Sequence, residues 1–339
     1  MKTQSLLLVI CSVLFLVSCA KDDDSSSSSS SSTPSAVFTK ANNAVTSTYS
    51  STSSSFVGSK RAGQKASFTC SNGSPSGLSQ GDANYASGDV YCVLNSNSKS
   101  PDTVQGSYYL VSKILCAIEK TETFSYAATA TNHDNITFNE TDSCFGDSGF
   151  DANDDNDTAD TITVSITEQS LTGSDYDYYI GIQLGATTFT AASVKLYLKD
   201  SNNILAARMY QESDKSQLEF VLNSSNNNMY FENKDYGNKR HIRLAANGTF
   251  NSEGTFSSVT SASYAHTEGD AGSEMAVMMV YASSAVSFDH FVSGSRDADY
   301  VATSITYKTD FSTWTSRAIT DNDPLNDSLL DLSTFTMDF

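Results

Sequence analysis

Residues 161–339 carry apolar and polar side chains in alternation, with the period of two that is typical of half-buried β-strands. The alternation is regular at 162–167, 194–199 and 218–222, and clusters of Asn and Asp separate such segments. Short alternating segments joined by turn-forming residues predict strands that pair with their sequence neighbours. We therefore expect an antiparallel meander that forms a barrel, a half-barrel or a sandwich.

Two segments of this region give more specific predictions. Every residue from Met275 to Tyr281 is apolar, which predicts a central strand covered on both faces. Asn247-Gly248 is a residue pair that favours the type I′ turn of a two-residue hairpin. A strand therefore ends before Asn247 in this prediction, and the next one begins after Gly248.

The preceding region, 36–150, is rich in Ser, Asn and Gly, and one segment in it has a helical pattern. Pro101 fits the first turn of a helix, and Asp102 complements the positive end of the helix dipole. Apolar side chains then recur every three or four residues, at Val104, Tyr108, Val111, Leu115 and Ile118. This spacing predicts an amphipathic helix over 101–119 that packs its apolar stripe on the sheet.

The first 18 residues have the organisation of a secretory signal peptide. Lys2 precedes an apolar run over 6–17, which is shorter than the about 20 residues that a membrane-spanning helix needs. Residues 16–19, Leu-Val-Ser-Cys, resemble the lipobox of bacterial lipoproteins. This resemblance, to gram-negative lipoproteins of the outer-membrane type, implies removal of residues 1–18 and attachment of lipid to Cys19.

Residues 19–35 join this anchor to the rest of the chain. They contain three aspartates and eight consecutive serines, at 25–32, a composition that does not bury apolar surface. We expect a disordered tether. Ala20 after the lipidated cysteine resembles the pattern that sorts enteric lipoproteins to the outer membrane, and whether the protein faces the periplasm or the cell surface is left open.

Four cysteines lie within the region 36–150, at Cys70, Cys92, Cys116 and Cys144. In an exported chain an even number of cysteines indicates disulfide bonds, and no Cys-x-x-Cys spacing points to a zinc ribbon or a thiol oxidoreductase. We expect two bridges, with all three pairings open. The predicted fold class is therefore mainly β, with a disulfide-braced region that contains one α-helix ahead of the sheet.

The chain carries a formal net charge of −19, from 20 basic and 39 acidic residues. Such an acidic surface repels phosphate backbones and anionic headgroups, which argues against nucleic acid as a partner. Attachment to the membrane is accordingly assigned to the lipid, and a protein or a glycan is left open as the ligand.

The segment 142–149, Asp-Ser-Cys-Phe-Gly-Asp-Ser-Gly, resembles the nucleophile segment of trypsin-like serine proteases. Catalysis by Ser148 would need a histidine base that a buried acid orients. Only His133 lies upstream, and Phe150 stands where that family has glycine. We therefore interpret the segment as a disulfide-anchored turn and assign no catalytic residue.

Oxygen-bearing side chains alternate as in calcium-binding loops, at Asp151, Asn153, Asp155 and Asp157. Asn156 occupies the place of the turn-forming glycine and Ile162 that of the bidentate glutamate, so the EF-hand pattern is incomplete. The favoured interpretation of 151–160 is a solvated acidic linker, and the alternative is a structural Ca²⁺ site. No other cofactor is expected.

Aromatic residues lie on or near several predicted strands, at Tyr176, Tyr178, Tyr179, Tyr197, Tyr210, Tyr230 and Phe231. A tyrosine-rich sheet face can stack on a ligand, although cross-strand packing is the default explanation. We expect a lipid-anchored, non-enzymatic β-rich protein for binding or for envelope structure. The alternatives are a secreted hydrolase with an unrecognised site and, from the alternation at 335–339, an integral outer-membrane β-barrel.

Overall fold

A layer of three α-helices packs on one large antiparallel sheet. The computed structural model describes residues 33–56, 69–71, 74–79, 85–95, 104–146, 161–201, 203–212, 215–235, 239–269, 275–282, 285–296, 302–307, 314–315 and 328–333. All of them belong to one unit of the fold. The predicted signal peptide, Cys19, Ser148 and the acidic linker 151–160 lie outside these ranges.

The helices are α1 (Pro34–Phe56), α2 (Tyr85–Asn95) and α3 (Val104–Thr121), and a 3₁₀ turn spans Ser143–Phe145. The first two strands, β1 (Cys70–Ser71) and β2 (Ser74–Pro75), form a separate ribbon. The strands of the large sheet are β3 (Thr131–Asn139), β4 (Thr161–Ser170), β5 (Tyr178–Leu184), β6 (Val194–Ser201), β7 (Ile204–Gln211), β8 (Ser216–Asn223), β9 (Asn228–Asp235), β10 (Arg240–Phe250), β11 (Phe256–Glu268), β12 (Met275–Ala282), β13 (Ala285–Arg296), β14 (Ala302–Tyr307) and β15 (Trp314–Thr315).

The spatial order of strands β3 to β15 is their order along the chain. Neighbouring strands pair antiparallel throughout. Among the described strands, β3 and β15 are the two edges, so the sheet is open and does not close into a barrel. The prediction of a mainly β fold, an antiparallel meander behind a disulfide-braced helical region, is confirmed.

Strand β3 precedes the predicted β domain of 161–339, but it pairs with β4 in the same sheet. Ile136 and Phe138 of β3 are buried against the helices, whereas most of its other residues are exposed. The boundary predicted at 151–160 therefore falls between two paired strands. The pattern of β3 was not recognised because an edge strand is largely polar and buries apolar side chains at only two positions.

Helix α1 begins inside the segment predicted to be a tether. Thr33 Oγ1 accepts a hydrogen bond from the backbone N–H of Ala36 at 3.4 Å, and Pro34 occupies the first helical position. The buried stripe of α1 comprises Val37, Phe38, Ala41, Ala44 and Val45. Residues 34 and 35 of the tether predicted as 19–35 are thus helical, and the described residues ahead of β3 form three helices where one was predicted. No described helix is long and apolar enough to cross a bilayer.

The two faces of the sheet have different partners. On the helix face, the three helices and alternate strand residues form the main apolar core, with Ile166, Leu196, Phe220, Phe231, Leu244 and Val277 from the sheet. On the opposite face, which we call the second face, a smaller buried cluster comprises Tyr176, Tyr197, Ala206, Val221, Tyr230, Ala245 and Leu332. The predicted central strand is confirmed as β12, where Val277 and Met278, on opposite faces, are both fully buried.

Two disulfide bonds brace the helical region, as predicted. Cys70–Cys92 links β1 to α2, and Cys116–Cys144 links α3 to the 3₁₀ turn. Asp142 caps that turn, because its carboxylate accepts a hydrogen bond from the backbone N–H of Cys144 at 2.8 Å. The protease-like segment therefore begins with a turn that a disulfide anchors, in agreement with the sequence interpretation.

The predicted hairpin turn at Asn247-Gly248 is wrong. Both residues lie inside β10, where the register against β11 shifts between them. A Cβ atom on Gly248 would lie 2.1 Å from the carbonyl oxygen of Ser258, so glycine permits a close backbone approach at this bulge. The chain turns instead at 251–254, where Gly254 has a φ of +78°.

Candidate functional site

Charged side chains cross the second face of the sheet in a row. The strand register places Arg208 beside Glu219, Glu219 beside Glu232, and Glu232 beside Arg243. We call these four residues, from β7, β8, β9 and β10, the charged row. None of them is more than 5% exposed, a degree of burial that charged residues reach only when they are paired. The charged row is therefore part of a packed layer rather than a solvated face.

Glu232 of the charged row binds two side chains of the sheet. Its Oε1 lies 2.6 Å from His241 Nε2, and its Oε2 accepts a hydrogen bond from Tyr230 at 2.8 Å. Burial raises the pKa of Glu232, but the hydrogen bond from His241 and the charge of Lys234 outweigh burial and hold the pKa at about 2. Burial lowers the pKa of His241 by more than Glu232 raises it. The two groups therefore form a buried carboxylate–imidazole pair in which burial favours the uncharged form of His241.

A C-terminal segment, residues 328–333, lies on the second face next to the charged row, and we call it the strap. The Nδ2 atoms of Asn226 and Asn228 donate to the carbonyl oxygen of Leu332, at 3.1 and 3.3 Å. The carboxylate of Asp175 accepts from the backbone N–H of Leu329 at 2.9 Å. Side chains of the body thus bind main-chain atoms of the strap.

The side chain of Leu332 is the buried centre of the strap, with 1% exposure. It packs among six residues that we call the leucine site: Tyr176, Tyr197, Ala206, Val221, Tyr230 and Ala245. Arg208 of the charged row connects the two features, because its guanidinium lies 5.2 Å from the ring centre of Tyr176 and 2.8 Å from Glu219 Oε1. The strap, the leucine site and the charged row form one continuous patch.

A second group of buried charges ties α2 to the sheet on the helix face. Asp89 accepts hydrogen bonds from the hydroxyl of Tyr264 and from Nδ1 of His266, both at 3.0 Å. Nε2 of His266 lies 3.3 Å from Glu268, whose carboxylate also accepts from Arg240 Nε at 3.2 Å. Burial lowers the pKa of His266, but Asp89 and Glu268 outweigh burial and raise the pKa to about 9. His266 is therefore a buried cation held between two carboxylates.

These pKa shifts predict that stability is greatest near pH 6.5. His266 has a folded pKa of about 9 against an ordinary 6.5, so its stabilisation is complete below pH 6.5 and is lost as pH rises through 9. Glu232 and Glu268 have folded pKa values of about 2 against 4.5, so their stabilisation is complete above pH 4.5 and is lost as pH falls through 2. The lowered pKa of His241 adds to the acid-side loss below pH 6.5.

The measurement is the urea midpoint of unfolding across this pH range at constant ionic strength. The variant His266→Gln should lose the decline between pH 6.5 and 9, because it removes the group whose folded pKa is raised. A decline of unchanged size in that variant would contradict the role assigned to His266.

His133, which the sequence offered as the base for Ser148, lies in β3 between two glutamates. Its Nδ1 is 2.9 Å from Glu122 and its Nε2 is 3.3 Å from Glu168. Burial raises the pKa of Glu168, but hydrogen bonds from the backbone N–H groups of Ser125 and Tyr126 outweigh burial and lower it. This cluster joins the segment after α3 to the sheet, while Ser148 lies outside the described residues.

Of the other predicted site residues, some lie within the described residues and some lie outside them. Cys19 and the calcium candidates Asp151, Asn153, Asp155 and Asp157 lie outside the described residues. Within the described ranges, no group of three or more His, Cys, Asp and Glu side chains is placed to hold a metal ion. Of the predicted aromatic set, Tyr176, Tyr197 and Tyr230 meet at the leucine site, whereas Tyr178 and Phe231 pack on the helix face.

The charged row and the Asp89 group are the parts of the site that sequence analysis missed. Glu219 lies between apolar neighbours in β8, and Glu232 between Phe231 and Asn233 in β9, which is the pattern of solvent-facing positions in a half-buried strand. What this site can bind is inferred from its own geometry, because the comparisons with known proteins give no match. No protein-family model, no curated protein and no solved structure matches this chain.

Proposed function

We propose that this chain is a lipid-anchored, non-enzymatic protein of the outer membrane, and that its β-sheet body binds a partner. The observation that carries the anchor is Leu-Val-Ser-Cys at 16–19, directly after an apolar run of signal-peptide length. The eight serines at 25–32 end just before Thr33, the residue that caps α1. A solvated tether followed at once by a folded body is the organisation that an anchored display protein requires.

The non-enzymatic part of the proposal rests on how the titratable groups are held. Asp89, Glu219, Glu232, His241 and His266 are each at most 1% exposed. Their ion pairs and hydrogen bonds join α2 to β11, β7 to β8, and β9 to β10 within the packed layers. Groups at this depth lie out of reach of a substrate in the described fold, and their contacts hold elements together.

Replacement of the lipobox cysteine tests the anchor. In cells fed radioactive palmitate, we expect the unaltered protein to incorporate label and to sediment with the membranes. Cys19→Ala should lose essentially all of the label and move to the soluble fraction, because the lipobox thiol that receives the lipid is gone. The measurement is labelled protein and immunoblot signal in the pellet and the supernatant after ultracentrifugation.

The matched control is Cys11→Ala, which removes a thiol from the apolar run of the signal segment and leaves residues 16–19 intact. It should incorporate label and sediment as the unaltered protein does. If Cys19→Ala sedimented with the membranes and kept its label, the lipid anchor would have to be abandoned.

A further inference from the structure

The strap is attached to the body in a different way from the strands. It lies outside the strand ladder, and the side chains of Arg208, Asn226, Asn228 and Asp175 form hydrogen bonds to its main-chain atoms. Of its six residues only Leu332 is buried, while Ser328, Asp331 and Ser333 are exposed. Leu329 and Leu330 are partly buried against the same cluster as Leu332. The body therefore recognises a peptide main chain and apolar side chains centred on one buried leucine.

The leucine site is formed largely by the sheet itself. Ala206, Val221, Tyr230 and Ala245 lie side by side across β7, β8, β9 and β10. The small side chains of the two alanines leave room above the sheet, and tyrosine rings border that room. Because the site is built on paired strands in the middle of the sheet, its geometry does not depend on the strap.

We propose that the leucine site and its flanking amides form a docking site for a short, leucine-bearing segment of a partner protein, and that the strap occupies this site until the partner displaces it. The inference rests on the proposed function, since it names the partner chemistry of a binding body. In the docked state the partner's leucine takes the position of Leu332, and its main chain meets Asn226, Asn228 and Asp175.

A partner protein fits this site better than a second copy of the chain does. The strap of a second copy makes contacts identical to those of the resident strap, but it competes against a segment whose effective concentration is raised by its covalent link to the body. A segment of different sequence displaces the strap from the leucine site by making additional contacts with the body. The net charge of −19 favours a partner segment with basic flanks.

The test uses the full chain in detergent and a fluorescent peptide with the sequence of residues 328–333, Ser-Leu-Leu-Asp-Leu-Ser. Leu332→Ser should release the strap and expose the leucine site. We expect fluorescence anisotropy to report at least tenfold tighter binding of the peptide to Leu332→Ser than to the unaltered chain. A peptide with serine in place of its last leucine should lose this binding.

The matched control is Leu184→Ser, the same substitution at the exposed leucine of β5, which should bind the peptide as weakly as the unaltered chain. If Leu332→Ser fails to fold, as judged by circular dichroism, Leu329→Ser replaces it, because Leu329 is only partly buried. Equal binding by all chains, or no binding by a folded strap variant, overturns the proposal.

Two further outcomes are distinguishable. A dimer of the unaltered chain that Leu332→Ser abolishes, seen by light scattering, would assign the site to a second copy and overturn the claim of a foreign partner. Because the chain is held in detergent, the peptide experiment does not depend on lipidation at Cys19. Failure of the docking site and failure of the anchor therefore appear in separate measurements.

Discussion

Asp89→Ala should lower the free energy of unfolding by about 3–5 kcal/mol, because it leaves a buried cation without its main countercharge. Asp89 is fully buried and binds both Tyr264 and His266 at 3.0 Å. Without it, the imidazolium of His266 keeps only Glu268, and the hydroxyl of Tyr264 loses its acceptor. Urea titration at neutral pH, followed by circular dichroism, measures the loss.

Glu253→Ala is the control for this prediction. Glu253 lies exposed in the turn before β11, so removal of its carboxylate should change the free energy of unfolding by less than about 0.5 kcal/mol. The Asp89 variant should also show less dependence of stability on pH between 6.5 and 9, since the pKa of His266 falls when its largest attraction is gone. An Asp89→Ala chain with the midpoint of the unaltered protein would refute the assigned contact.

Glu219→Ala should destabilise the second face by about 3–5 kcal/mol, since it breaks a buried ion pair from one side. Arg208 is 1% exposed, and its Nη2 donates to Glu219 Oε1 at 2.8 Å. Replacement of both partners, in Arg208→Met with Glu219→Leu, removes the two charges together. The double variant should regain most of the loss, because apolar side chains of similar volume need no countercharge. The measurement is again urea unfolding, arranged as a double-mutant cycle.

The matched control for the pair lies on the same face but nearer the solvent. Glu212 forms an ion pair with Lys195 at 2.7 Å, and its side chain is 45% exposed. Glu212→Ala should therefore lower the free energy of unfolding by less than about 1 kcal/mol. If the double variant of Arg208 and Glu219 were as unstable as Glu219→Ala alone, the loss would come from packing rather than from an uncompensated charge.

The strands of the sheet could be predicted from the sequence because the two faces of most strands pack against different partners. In β6 and β8, apolar residues at alternate positions reach the helices, and this asymmetry produces the period of two. Helix α3 was readable for a similar reason, with an observed range of Val104–Thr121 against a predicted 101–119. Each of these predictions needed only local sequence.

The helices α1 and α2 were missed because their residues have weak helical propensity. Ser, Thr and Asn fill α1, and Gly88 lies inside α2, so composition favours irregular structure. The spacing of Val37, Phe38, Ala41, Ala44 and Val45 was nevertheless helical, and this signal was available. Contacts with the sheet, such as the hydrogen bond from Phe256 N to Ser47 Oγ at 2.8 Å, stabilise what propensity does not.

The candidate site was less predictable than the fold, because its residues meet only through strand register. Glu219 and Glu232 look like solvent-facing positions in their own strands, and nothing local indicates that each faces a charged neighbour across the sheet. The same applies to Leu332, whose contacts lie more than 100 positions earlier in the chain. Of the residues in the site, sequence analysis singled out only the tyrosines. Packing against neighbouring strands explains the position of most of these tyrosines.

The meander also determines the order in which the chain can fold. Each strand pairs with its sequence neighbours, so hairpins form from short loops as soon as the segments are available. Helix α1 behaves differently, because its Ser47 can accept the hydrogen bond from Phe256 only when that residue, 209 positions later, is in place. The first described helix therefore completes its packing only after the strands as far as β11 are available.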